Sequence, residues 1–286
     1  MKAFIFIDTN IMLDFYRVRG REGGLSILDQ VDANHDRIIT SAQVEMEYKK
    51  NRQSAILEAI KSLKSPDWAS LTLPAFLADS RPKKNIEKSR STIDAARKKA
   101  VSRIEKLLRH PARNDPVYKV LQRLFRNDSA VNLSRKVRDR FRIRRLALKR
   151  FLLGYPPRKA ADTSYGDAVN WEWIIYCANR NPDEIIIVSR DSDYGVIQND
   201  ESFLNDWLRE EFKQRVSKKR AITLTARLTD AFKRAKITVS ASDEAAEREV
   251  IQEKQSAPSN RATQTVEEVL EELRGRWPPA FHEPRM

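Results

Sequence analysis

The sequence predicts an α/β fold, an open parallel sheet flanked by helices, on three observations. Short runs of β-favouring residues, Ala3-Phe4-Ile5-Phe6-Ile7, Ile38-Ile39 and Ile185-Ile186-Ile187-Val188, are apolar at consecutive positions, as strands buried on both faces are. Segments of helical period separate them, the alternation of a doubly wound chain. With 7 glycines in 286 residues and 33% charged residues, the composition suits long solvated helices rather than a turn-rich β sandwich.

Taken in order, the first strand ends at Asp8, after too few apolar residues for a signal segment or a membrane span. Helical spacing follows over about 23–33 and, past the Ile38-Ile39 strand, over about 42–63. Residues 83–108 and about 134–153 place Ile, Ala, Leu and Val three and four apart amid dense Lys and Arg, which predicts two long amphipathic basic helices. Asp115-Pro116 opens a shorter helix over about 116–125, and Gly154-Tyr155-Pro156-Pro157 closes the segment, since a double proline cannot continue a helix. A basic helical insertion is therefore expected at about 65–160 within one sheet domain spanning 1–240. Further helices are expected at 166–180, 203–216 and 226–236, with a strand at Ala221-Ile222-Thr223-Leu224-Thr225. From 241 to 286 the chain reads as an acidic appendage, partly helical or disordered, with Val266, Val269, Leu270 and Leu273 at helical spacing.

The formal net charge of +14 is concentrated in one place. Residues 81–160 hold 26 Lys and Arg against 6 Asp and Glu, while the flanking segments are near neutral or acidic. A nucleic-acid partner suits such a segment, because each neutralised phosphate releases condensed counterions; a solvated helical face is the plainer reading. The single cysteine, Cys177, has no disulfide partner within the chain and no companion for a zinc site, so a reducing, cytoplasmic setting is expected.

In an open parallel sheet, function collects beyond the carboxyl ends of the strands. Asp8 follows the first strand directly, and Asp191 and Asp193 follow Ile185–Val188. Glu47 lies one and a half turns into the helix after Ile38-Ile39, and Asp167 begins the helix containing Ala168-Val169-Asn170-Trp171. Each has a plainer role available: an Asx turn for Asp8, Asp191 and Asp193, a capping box for Asp167 in Ser164-Tyr165-Gly166-Asp167, a solvated face for Glu47. Glu45, two residues from Glu47, points about 160° away on a helix and is expected to face solvent. Together, the acids share no structural purpose, and a cluster of them would repel itself without cations.

Four segments resemble the motifs of PIN-domain nucleases. Phe6-Ile7-Asp8-Thr9-Asn10-Ile11-Met12-Leu13 is similar to the first, Ser41 through Glu47-Tyr48 to the second, Tyr165-Gly166-Asp167-Ala168-Val169-Asn170-Trp171 to the third and Ile187-Val188-Ser189-Arg190-Asp191-Ser192-Asp193-Tyr194 to the fourth. The third takes the form seen in a PIN-like subfamily with a long helical insertion before it, and the similarity covers about 1–63 and 155–236. Asp162 stands near that subfamily's leading acid, in a looser pattern. The resemblance implies a PIN-like fold and a divalent-metal-dependent nuclease that acts on RNA and leaves 5′-phosphate ends.

A carboxylate set without His or Cys suits Mg²⁺ or Mn²⁺ and argues against zinc; His35, His110 and His282 show no ligand spacing. Asp8, Glu47, Asp167 and Asp191 are thus the expected catalytic and metal-holding residues, Asp193 a fifth acid, and Asn10 and Ser189 the residues orienting them. The densest basic run is Arg135, Lys136, Arg138, Arg140, Arg142, Arg144, Arg145, Lys149 and Arg150; Arg138, Arg142, Arg145 and Lys149 are the expected phosphate contacts. Phe141 and Phe151 read as core or as stacking surfaces, Trp171 and Trp173 as packing residues. The rival readings are a flap-type structure-specific DNA nuclease and an inactive PIN-fold scaffold that binds nucleic acid. An antitoxin or other protein partner is a question of genetic context.

Overall fold

The computed structural model describes residues 3–18, 25–61, 81–158, 164–198 and 201–256. Asp162, His282, residues 65–80 and the spacing from Val266 to Leu273 lie outside the described residues.

Among the described residues, five parallel strands form the central sheet: β1 (Ala3–Ile7), β2 (Ile38–Ser41), β3 (Asn132–Leu133), β4 (Glu184–Val188) and β7 (Ile222–Thr225), in the order β3-β2-β1-β4-β7. The consecutive apolar residues of β1 and β4 are covered on both faces, and Ile5, Ile185, Ile186, Ile187 and Val188 are fully buried. Two short strands, β5 (Gly195–Gln198) and β6 (Glu201–Leu204), make a separate antiparallel hairpin.

The helices are α1 (Thr9–Asp14), α2 (Ile27–Ala33), α3 (Ala42–Lys61), α4 (Arg81–Arg109), α5 (Pro111–Asn114), α6 (Pro116–Arg126), α7 (Arg140–Leu152), α8 (Gly166–Arg180), α9 (Asp206–Arg215), α10 (Leu228–Arg234) and α11 (Ala241–Ser256). The single helix expected over 203–216 starts only at Asp206. Asn205 caps it, accepting from Trp207 N (3.0 Å) and Leu208 N (3.4 Å), while the residues before it pair in the hairpin. Gly195 makes that pairing possible, since a Cβ there would stand 2.0 Å from the Phe203 carbonyl oxygen.

The basic segment expected as an insertion is built into the fold over much of its length. β3 adds a strand to the sheet, and α6 and α7 bury Val117, Leu121, Leu124, Ile143 and Ala147 in the common core. Of this segment, α4 has no buried residue, and it touches α3 through Ile104, Leu107 and Leu108 around Ile56 and Leu57. The two-residue β3 is too short to show a period; Asn132 Nδ2 holds it by donating to the carbonyls of Phe125 (2.9 Å) and Asn127 (2.7 Å).

α7 runs antiparallel to α8: Asp139, at its start, accepts from Tyr176 near the end of α8, and Phe151, at its end, lies 6.4 Å from the ring of Tyr165 before α8. Between these contacts Arg150 is buried and donates through Nε to Glu172 (3.0 Å) and through Nη2 to Glu211. Arg215 completes the network at 2.6 Å from both Glu172 and Glu211. Arg150 is therefore a structural ion pair rather than part of the free basic run.

The appendage is more ordered at its start than its composition suggests. In α11, Asp243, Ala246 and Val250 are buried. Asp243 accepts from Ser26 Oγ (2.8 Å) and Ile27 N (3.1 Å), and Glu247 accepts from Leu228 N (2.7 Å), Thr229 N (3.0 Å) and Thr229 Oγ1 (2.7 Å). The two carboxylates cap α2 and α10, whose own cap residues make no side-chain bond to the helix.

Removing one partner of a buried ion pair leaves an uncompensated charge, so Glu172→Ala should destabilise the protein by about 3 kcal/mol. Urea denaturation checks this; a loss under about 1 kcal/mol would mean that Arg150 is not held by this network.

Candidate active site

From β1 the chain builds outward through β2 to β3, then returns to the other side of β1 for β4 and β7. The crevice of such a sheet opens where the strand order reverses, between the carboxyl ends of β1 and β4. Ile7 pairs with Val188, so the two residues that follow, Asp8 and Ser189, leave the sheet side by side. Asp8 N donates to Val188 O at 3.0 Å, and Ser189 N to Thr225 O at 3.1 Å.

Asp8 caps α1, with Oδ1 accepting from Thr9 N at 2.6 Å. Its Oδ2 accepts from Asn10 Nδ2 (2.9 Å) and from Ser189 Oγ. Ser189 Oγ in turn accepts from Asp191 N at 3.0 Å. Asn10 and Ser189 thereby fix the Asp8 carboxylate and tie the two strand ends together. Asn10 Oδ1 is buried and has no hydrogen-bond partner among the described residues.

Glu47 reaches the same place from α3. Its Oε1 accepts from Gln43 Nε2 (2.7 Å) and its Oε2 from Thr9 Oγ1 (3.3 Å). The helix is set by Ser41, whose Oγ accepts from Val44 N (3.2 Å) and donates to Asn170 Oδ1 of α8 (3.0 Å). Glu45 turns instead to Lys49, 2.6 Å away. Against Glu47 lies the first turn of α8. A Cβ on Gly166 would stand 2.2 Å from Glu47 Oε1 and 2.7 Å from Gln43 Nε2, so a larger residue just before Asp167 would move these side-chain ends from their present places. Thr9, Gln43, Gly166 and Asn170 were not singled out from the sequence. The i,i+4 spacing of Gln43 and Glu47 was a readable signal for one of them.

Electrostatics connects these acids. Burial pushes the Asp8 carboxyl up to about 6, against the Ser189 hydrogen bond, with Asp191 and Glu47 raising it further. Asp167 is pushed up to about 8 by burial and by the charges of Asp8, Glu47, Asp191 and Asp193. Burial raises the Tyr194 phenol, and Asp167, Asp8, Glu47 and Asp191 add to it. Asp193 is itself buried. Among the described residues, no three His, Cys, Asp or Glu side chains stand in ligating geometry. Asp8 and Glu47 are held by separate hydrogen bonds, and like-charge repulsion acts between them and on Asp167. The donor set is oxygen only, the chemistry of a hard divalent cation, whose charge would oppose the repulsion.

Outside this crevice, Arg138, Arg142, Arg145 and Lys149 are exposed. Lys149 lies near the end of α7 that meets the start of α8. Phe141 is 65% exposed with the Arg140 guanidinium over its ring, and Phe151 is half-buried beneath Arg158. Trp171 and Trp173 are buried, donating to Glu211 and to the Val131 carbonyl, both at 3.0 Å. His35 bonds the Asp32 carbonyl at 2.6 Å, and burial pushes the Cys177 thiol well up, so it is a packing residue.

A carboxyl whose folded pKa lies above its unfolded value holds its proton more tightly when folded, so it costs stability as pH rises from the unfolded value toward the folded one. With Asp167 raised from 3.8 to about 8, the metal-free protein should melt at falling temperature across that interval, and Asp167→Asn should flatten the slope. Calorimetry of both proteins checks this; equal slopes would mean that Asp167 titrates normally.

A PIN domain family model matches residues 5–194. Comparison with curated proteins and with solved structures returned no match. PIN domains are in general divalent-metal-dependent nucleases. The matched span covers the first strand, the basic helices and the acidic loop up to Tyr194, and the parallel sheet agrees with it: the chain belongs to the PIN domain family.

Proposed function

We propose that this metal-dependent nuclease hydrolyses phosphodiester bonds in RNA, with Asp8, Glu47, Asp167 and Asp191 as its catalytic acids and Mg²⁺ or Mn²⁺ as the ion they hold. The geometry that carries the reading is the meeting of Asp8 and Glu47 at Thr9, just beyond the end of β1, where burial and further carboxylates raise the proton affinity of Asp8 and Asp167. Such a site binds protons or cations, and at neutral pH a divalent cation is the effective competitor. Bound there, the ion would supply Lewis acidity toward the phosphodiester and lower the pKa of a water.

The remaining work belongs to the chain. Asp8 is aimed by Asn10 and Ser189, Glu47 by Gln43 and Thr9, and Asp193 serves as a fifth acid beside Tyr194. Arg138, just before α7, and Arg142, Arg145 and Lys149 on it bind the phosphate backbone and offset the repulsion between an acidic site and a polyanion. RNA is preferred on the motif resemblance, and the products then carry 5′-phosphate ends.

Asp8→Ala should lower cleavage of single-stranded RNA in Mn²⁺ by about 10³-fold, the scale of several kcal/mol. A mutant as active as wild type, or a wild type without activity, overturns the enzyme reading. Preferential cutting of a flapped DNA duplex overturns the RNA reading. Gly166→Ala should displace the Glu47 carboxylate and cost about 10–100-fold in rate while the melting temperature holds, because the clash is with a flexible side-chain end.

Replacing Arg142, Arg145 and Lys149 together by alanine should flatten the salt dependence of single-strand binding by about 2 log units per log unit of salt. An unchanged slope would place the phosphate contacts elsewhere.

A further inference from the structure

We infer that Arg190 is a positioning residue for the Asp191 carboxylate and that α11 supplies, through Glu247, part of the charge that holds it. The inference rests on the proposed role of Asp191. Arg190 lies between Ser189, which bonds Asp8, and Asp191, whose amide bonds Ser189 Oγ. Its guanidinium leaves that crevice for the far end of α1, with Nη1 donating to Asp14 and Nη2 to Glu247 Oε1 at 3.4 Å. The side chain is 13% exposed, so the pair is shielded from solvent and from screening salt.

Three elements meet at this guanidinium. Asp14 ends the helix that Asp8 begins, and Arg17 Nη1 pairs with it at 2.9 Å. The loop after β4 contributes Arg190 itself. Glu247 comes from α11, beyond the span of the family match, and is anchored by its three bonds to Leu228 and Thr229. A loop residue pinned to two rigid helices restricts the backbone on either side of it. Ser189 and Asp191 are the residues so restricted, and they govern where two acids point.

The α11 helix is therefore a brace for the acidic loop as well as a cap for α2 and α10. Glu247→Gln removes the charge facing Arg190 but also weakens the cap, because Oε1 accepts from Leu228 N and Oε2 from Thr229, and a single amide oxygen cannot serve both. Arg190→Met removes the other half of the pair with the bonds of Glu247 to Leu228 and Thr229 in place, and so separates the roles, and Arg190→Lys restores the charge.

Hydrogen exchange of the metal-free full chain is the test, read at residues 189–194, where Asp191 N bonds Ser189 and Tyr194 N bonds Asp191 O. Both Glu247→Gln and Arg190→Met should speed exchange there, and the Mn²⁺ concentration for half-maximal cleavage should rise by about tenfold, with partial rescue by Arg190→Lys. Faster exchange confined to 25–33, 228–234 and 241–252, with metal dependence unchanged, would overturn the inference and leave Glu247 a cap. Faster exchange at 189–194 in a chain whose wild type cleaves nothing would support the brace and overturn the nuclease reading instead.

Discussion

The parallel register of β1 and β4, which sends buried polar residues out of the sheet side by side, is the constraint on which the rest of this structure depends. The register of β1 and β4 makes Asp8 and Ser189 leave the sheet together, and the hydrogen bonds of Ser189 and Asn10 hold the first acid in place. Burial denies these groups solvent, and their neighbours carry the same charge, which is why protons are held above the ordinary carboxylate range at Asp8 and Asp167. A fold selected for stability alone would not retain this arrangement, since each buried like charge lowers its stability near neutral pH.

The surrounding scaffold uses opposite charges to fix helices that the sheet alone would not orient. Asp115, fully buried, accepts from Arg52 Nε (2.8 Å) and Nη2 (2.6 Å) and from the Tyr16 hydroxyl (2.7 Å), while Arg52 also reaches the Leu107 carbonyl at the end of α4. This joins α3, which carries Glu47, to the start of α6 and to the long basic helix. Arg150, Glu172, Glu211 and Arg215 do the same for α7, α8 and α9. Such pairs add little net stability but penalise every alternative orientation, because a misplaced helix strands a buried charge. The exposed arginines of α7 thereby keep a set position relative to Asp167.

Much of the sheet could be read from the sequence because β1 and most of β4 are apolar at consecutive positions, a pattern visible without tertiary information. The acids at the strand ends followed from that reading. What escaped was decided by single contacts: β3 is two residues long and held by one asparagine, and the end of β6, Phe203-Leu204, was absorbed into a helical period that Asn205 interrupts. The docking of α11 was invisible for a similar reason. Its apolar stripe is small, and its attachment runs through Asp243 and Glu247, residues that in a sequence look like solvated acids. Arg150 was counted in the dense basic run because its burial depends on Glu172, Glu211 and Arg215, distant in the chain. Gly166 shows the limit most clearly: the room that its missing side chain leaves matters only when α8 meets Glu47.

The central claim is that a cation resolves the repulsion at the ends of β1 and β4. Anomalous diffraction from crystals grown with Mn²⁺ addresses it directly. The account predicts a peak within coordinating distance of the Asp8 carboxylate and of at least one of Glu47, Asp167 and Asp191. Crystals that bind Mn²⁺ only at other surfaces, with these carboxylates left apart, would contradict it.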